Sequence, residues 1–196
     1  MIRFFFLLVI LLSANAISAQ QDDPNINLMV TEDSWRKEAF TFPKPFAPEV
    51  NFKGVADVRF TKGWSNVESD LFWSYAFAWK IEEKLTEAEI EHYLQLYFDG
   101  LMQLVNRDKT KEVPQTNALF ISTLNDDSQL GYTGKIRLFD AFFTSEMITL
   151  HVNGEYDYCS ELDKHVYIFR LSPKPVGDAV WNHINKTVMR QDICNK

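Results

Sequence analysis

Between Leu71 and Ile81 the odd positions are Leu71, Trp73, Tyr75, Phe77, Trp79 and Ile81, and the even ones are Phe72, Ser74, Ala76, Ala78 and Lys80. Large side chains on one face and mostly small ones on the other, with a period of two, predict a strand. Aromatic enrichment favours that reading over a helix. A second strand is predicted from Val50 to Phe60, with Gly54 placed as a bulge. From Leu85 to Asp108 the period changes to that of a helix. Thr86 and Glu89 make a T-x-x-E capping box, and Ile90, Leu94, Tyr97, Leu101 and Leu104 recur on one side. Gly100 weakens a helix interior, so close backbone packing is expected there.

Four further strands are predicted at 117–124, 133–144, 147–159 and 164–172, joined by short polar links, with Asn153-Gly154 read as a turn or bulge. Val176, Val180, Trp181, Ile184 and Val188 predict a closing helix over 176–194. The order β-β-α-β-β-β-β-α predicts an α+β fold: an antiparallel sheet with helices packed on one face. The outline is helix-grip-like. That likeness is one of element order only and implies no activity.

Residues 1–19 have the layout of a cleavable secretory signal. Arg3 precedes the apolar run Phe4 to Leu12, and small residues lead to Ala16 and Ala19. Such a run is too short to span a bilayer, and no later stretch is long and apolar enough to do so. Residues 20–49 carry Pro24, Pro43, Pro45 and Pro48, which predict an extended N-terminal arm tacked down by Phe40, Phe42 and Phe46. Residues 50–196 then form a single α+β domain. The expected location is secreted or periplasmic.

Composition narrows the partners. A net charge of −7 argues against nucleic acid and against an anionic membrane face. A hydrophobic content of 46% excludes disorder over most of the chain. Cys159 and Cys194 are the only cysteines. In an exported chain they read most simply as one disulfide, with two free thiols as the alternative.

Chemistry is harder to find. The chain has no nucleophile elbow, zinc-protease motif, phosphate loop or calcium loop, and none of its four histidines is paired with another His or with a Cys at ligand spacing. No cofactor or metal is expected. Asp57, Asp99 and Asp140 interrupt apolar elements and are the candidate acids for a carboxylate-dependent, glycan-directed hydrolase. The plainer reading makes them structural ion pairs or wet-face residues. The aromatic run 71–81 reads as core. Trp64 lies in a polar turn with Ser65, Asn66, Glu68 and Asp70, the group best placed to stack a sugar or anchor a partner. The function expected is therefore an exported non-enzymatic module binding a small molecule, a glycan or an envelope protein, with the hydrolase as the alternative.

Overall fold

A computed structural model describes residues 26–124 and 129–195. The signal peptide expected at 1–19 lies outside the described residues. Seven strands form one antiparallel sheet in the order β2 (Arg36–Thr41), β3 (Gly54–Phe60), β4 (Tyr75–Ile81), β8 (Lys164–Ser172), β7 (Met147–Cys159), β6 (Leu130–Phe139), β5 (Asn117–Leu124). After β4 the chain crosses the sheet through helix α1 (Glu87–Val105), descends at the far edge as β5, and meanders back until β8 pairs with β4. The α+β class and the antiparallel sheet are those predicted.

Registry explains the aromatic alternation. Phe77 sits between Val58 of β3 and Phe169 of β8, and Trp79 between Ala56 and Tyr167. These residues share the front face with α1, whose buried stripe is Ile90, Leu94, Phe98 and Met102. The capping box forms as expected: Thr86 accepts from the Glu89 backbone N–H, and Glu89 accepts from that of Thr86. Gly100 does permit a close approach. The Phe46 backbone carbonyl occupies the place a Cβ would take.

The small even residues of β4 have a different use. Ala76 and Ala78 face the back of the sheet, where Trp35, Leu28, Met29, Ile168 and Trp181 pack on them. Trp181 belongs to α2 (Ala179–Ile184), so the two helices lie on opposite faces rather than on one. The predicted closing helix is shortened to α2. The chain then pairs as β9 (Val188–Met189) with β1 (Met29–Val30).

Other boundaries also differ from the sequence reading. Residues 71–73 form a turn, so β4 begins at Tyr75, because Trp73 has φ 52°, a left-handed value that breaks a strand. Asn153-Gly154 makes no turn. Both residues pair within β7, and a Cβ at Gly154 would come 2.9 Å from the Phe169 ring. Within the expected arm, Arg36–Thr41 joins the sheet as its edge strand β2.

Cys159, at the end of β7, is disulfide-bonded to Cys194, with Cα atoms 4.9 Å apart. The bridge fastens the segment after β9 to the sheet. Lys80 adds a second tie through Nζ, which donates to the Ile193 carbonyl at 2.8 Å.

Candidate functional site

A seven-stranded sheet is about 29 Å across, whereas one helix covers about 10 Å. Helix α1 leans on β5 and β6. The front of β2, β3 and β4 is left without a helix over it, and a cavity of about 770 Å³ opens there. Its floor is Val58, Tyr75, Phe77 and Trp79. Its helical wall is a second stripe of α1: Tyr97, Leu101, Leu104 and Val105. Phe40 and Phe46 close one end, the latter brought against α1 by Gly100.

The opposite end is built by two loops. In the first, the Trp73 backbone N–H donates to the Trp64 carbonyl at 3.0 Å, and Thr61 Oγ1 donates to the Ser74 carbonyl at 2.8 Å. This closure turns both indoles inward. Trp64 is 9% exposed and Trp73 1%. In the second loop, Asp140 Oδ1 accepts from the N–H groups of Phe142 and Phe143, and Oδ2 accepts from the N–H and hydroxyl of Thr144. The turn so fixed presents Phe142 and Phe143 to the tryptophans, with ring centres 5.1 Å apart between Phe143 and Trp64 and 5.9 Å between Phe142 and Trp73.

The polar groups gather at the edge made by β2. Arg36 and Glu38 are exposed and pair at 3.6 Å. The Arg36 guanidinium lies 4.7 Å from the centre of the Phe60 ring, and the Lys44 ammonium 4.8 Å from that of Phe40. Tyr75 and Tyr97 line the interior. Burial holds both phenols well above their ordinary pKa, with Tyr97 acting on Tyr75 and Glu38 on Tyr97 in the same direction. Both therefore stay protonated and can donate. The indole N–H groups of Trp64 and Trp73 are enclosed without hydrogen-bond partners, an unusual cost concentrated at one end of the cavity.

Of the turn residues singled out in the sequence, Trp64 and Ser65 line the cavity, and Asn66, Glu68 and Asp70 do not. Asn66 Oδ1 accepts from the Glu68 N–H within its own turn, and Asp70 faces Lys174 at 3.4 Å. Trp64 is a wall of a buried cluster, not an indole standing in solvent.

The three candidate acids are also placed. None lines the cavity. Asp57 faces the back of the sheet, where Oδ2 accepts from Arg59 and from the N–H groups of Leu28 and Met29. Burial pushes its carboxyl up to about 6, outweighing Arg59 and the two N–H groups that pull it down. Asp99 accepts from the Thr116 N–H at 2.6 Å and ties α1 to the approach to β5. Asp140 holds the Phe142 turn. Among the described residues no three His, Cys, Asp or Glu side chains are grouped to hold a metal ion.

Sequence reasoning missed Arg36, Lys44, Phe142 and Phe143. One signal for the cavity was present. The apolar arc of α1 includes Tyr97, Leu101 and Leu104 as well as the stripe it buries, which is more than a helix needs to pack on one sheet. Comparison of the chain with family profiles, curated proteins and solved structures finds no match.

Proposed function

We propose that this protein is an exported, non-enzymatic binding module that takes a small, mainly apolar molecule into the cavity between α1 and β2–β3–β4. The observation that carries this reading is the cavity itself. Protein interiors are packed to crystal-like density, with few voids larger than a water molecule. A space of about 770 Å³ lies within the range of small-molecule sites, and it is walled by aromatic rings with a few polar groups at one edge. Export is supported by the N-terminal charge and apolar pattern, and a disulfide is compatible with an oxidising compartment. No helix among the described residues is long and apolar enough to cross a membrane.

Titration with the neutral probe N-phenylnaphthylamine tests the reading. Saturable binding should quench tryptophan emission, because Trp64, Trp73 and Trp79 line the cavity. Leu101→Trp should narrow the cavity from its helical wall and weaken binding while leaving the thermal melt cooperative. Absence of saturable binding, or binding indifferent to Leu101→Trp in a folded variant, would overturn it.

A further inference from the structure

The geometry points to a single-chain amphiphile with an anionic head group as the class of molecule the cavity takes, its chain on the aromatic floor and its head at the β2 edge. This inference rests on the cavity's being a ligand site. Two features of the lining select the class. The first is shape. The helical wall runs from Leu94 to Val105, about 16 Å along the α1 axis, and faces strand residues over its length. An elongated apolar slot favours a chain over a compact ring system.

The second feature is the balance of charge and of hydrogen-bonding groups. The charged side chains lining the cavity are Arg36, Lys44 and Glu38, two cations against one anion. All three line the β2 side, Arg36 toward the Trp64 end and Lys44 toward the Phe40 end, while the floor is apolar. Arg36 is held at the mouth by the Phe60 ring and, at 5.7 Å, by that of Trp64. Its side chain is 66% exposed, and its pairing with Glu38 at 3.6 Å is the loose kind that contributes little. Five donors on the guanidinium leave it able to take a carboxylate or phosphate in its fork. Lys44 Nζ rests on Phe40 and pairs with no carboxylate among the described residues. The exposed Ser65 hydroxyl adds a donor to the rim, and the phenols of Tyr75 and Tyr97 add two more inside the cavity, against the one carboxylate of Glu38. A donor-rich, net positive rim beside an apolar slot on a protein of net charge −7 is a local reversal of sign. It complements an anionic head and disfavours a cationic one.

The decisive experiment is a calorimetric titration of the disulfide-intact protein with four ligands of equal chain length: dodecanoate, dodecyl phosphate, dodecanol and dodecyltrimethylammonium, all below their micellar concentrations. One or both anions should bind about tenfold or more tightly than the alcohol, and the cation most weakly. Which anion is preferred separates a carboxylate from a phosphate head. Arg36→Gln combined with Lys44→Gln should remove the anion preference, so that both anions bind the variant no more tightly than the alcohol does. Alcohol binding as tight as the anions, or a preference for the cation, would overturn the head-group inference while leaving the cavity reading intact. So would an anion preference that survives the double substitution. Failure of all four ligands together with N-phenylnaphthylamine would overturn both.

Discussion

Trp64 and Trp73 meet edge to face with ring centres 5.6 Å apart, and the backbone N–H of the second donates to the carbonyl of the first. The two residues close a loop and wall one end of the cavity in the same contact. The left-handed φ of Trp73 is a costly conformation for a bulky residue, and it persists because the surrounding rings fix the indole. Trp73→Ala should therefore cost about 3–5 kcal/mol. Trp64→Ala should also be strongly destabilising, since Trp64 packs on Phe60, Trp73, Phe142 and Phe143. Thermal melts of both variants check this. A Trp64→Ala protein melting like wild type would show that the loop is not anchored through the indole.

Gly100→Ala gives a prediction of sign. In an ordinary helix interior the change stabilises by about 1 kcal/mol. Here the added methyl would meet the Phe46 carbonyl, which is backbone and cannot swing aside. A loss of about 1–3 kcal/mol is expected, with weaker probe binding, because the displaced Phe46 lines the cavity. Urea denaturation measures the first effect and fluorescence titration the second. A stabilised Gly100→Ala variant would refute the close approach.

Asp57 should leave a mark on the pH dependence of stability. Its folded pKa, about 6, lies above the unfolded value of 3.8, so the fold favours the neutral acid. That contribution is fully present below the unfolded value and is lost as pH rises through the folded one. Wild-type stability relative to Asp57→Asn should therefore fall by up to about 3 kcal/mol between pH ~4 and pH ~6 and be flat above. Denaturant titrations of both proteins across that range isolate the term, because all other groups are shared. A relative stability that rises over this interval would show that Arg59 and the Leu28 and Met29 N–H groups outweigh burial.

The Cys159–Cys194 bridge closes a loop of 35 residues and should contribute about 3–4 kcal/mol in the chain-entropy account. Cys159→Ser with Cys194→Ser should lower the melting temperature by about 6–16 °C. Amide exchange should rise first at residues 188–195, which the bridge fastens to the sheet. Unchanged exchange in that segment would mean that the Lys80 contact and the β1–β9 pairing hold it alone.

Much of this molecule is written in local pattern. The alternation of Tyr75, Phe77 and Trp79 against Ala76 and Ala78 specifies a strand with one bulky face, and the Thr86–Glu89 capping box starts α1 where it was expected. Two cysteines suggested a bridge without deciding it. These signals are legible because strand and helix periods and caps depend on neighbours a few residues apart. What local pattern could not decide is which faces meet. Ala76 and Ala78 read only as the small face of a strand; that Trp35 and Trp181, from opposite ends of the chain, cover it is decided by the fold. Asp57 has Arg59 beside it on its own strand face, but the Leu28 and Met29 amides that also donate to it come from a distant part of the chain. Beyond the wide apolar arc of α1, the cavity is a tertiary fact. It exists because α1 must cross from β4 to β5 over three intervening strands and comes to rest on the far half of the sheet. The aromatic face of β3 and β4 is left without a helix, a consequence of strand order that no window of sequence contains.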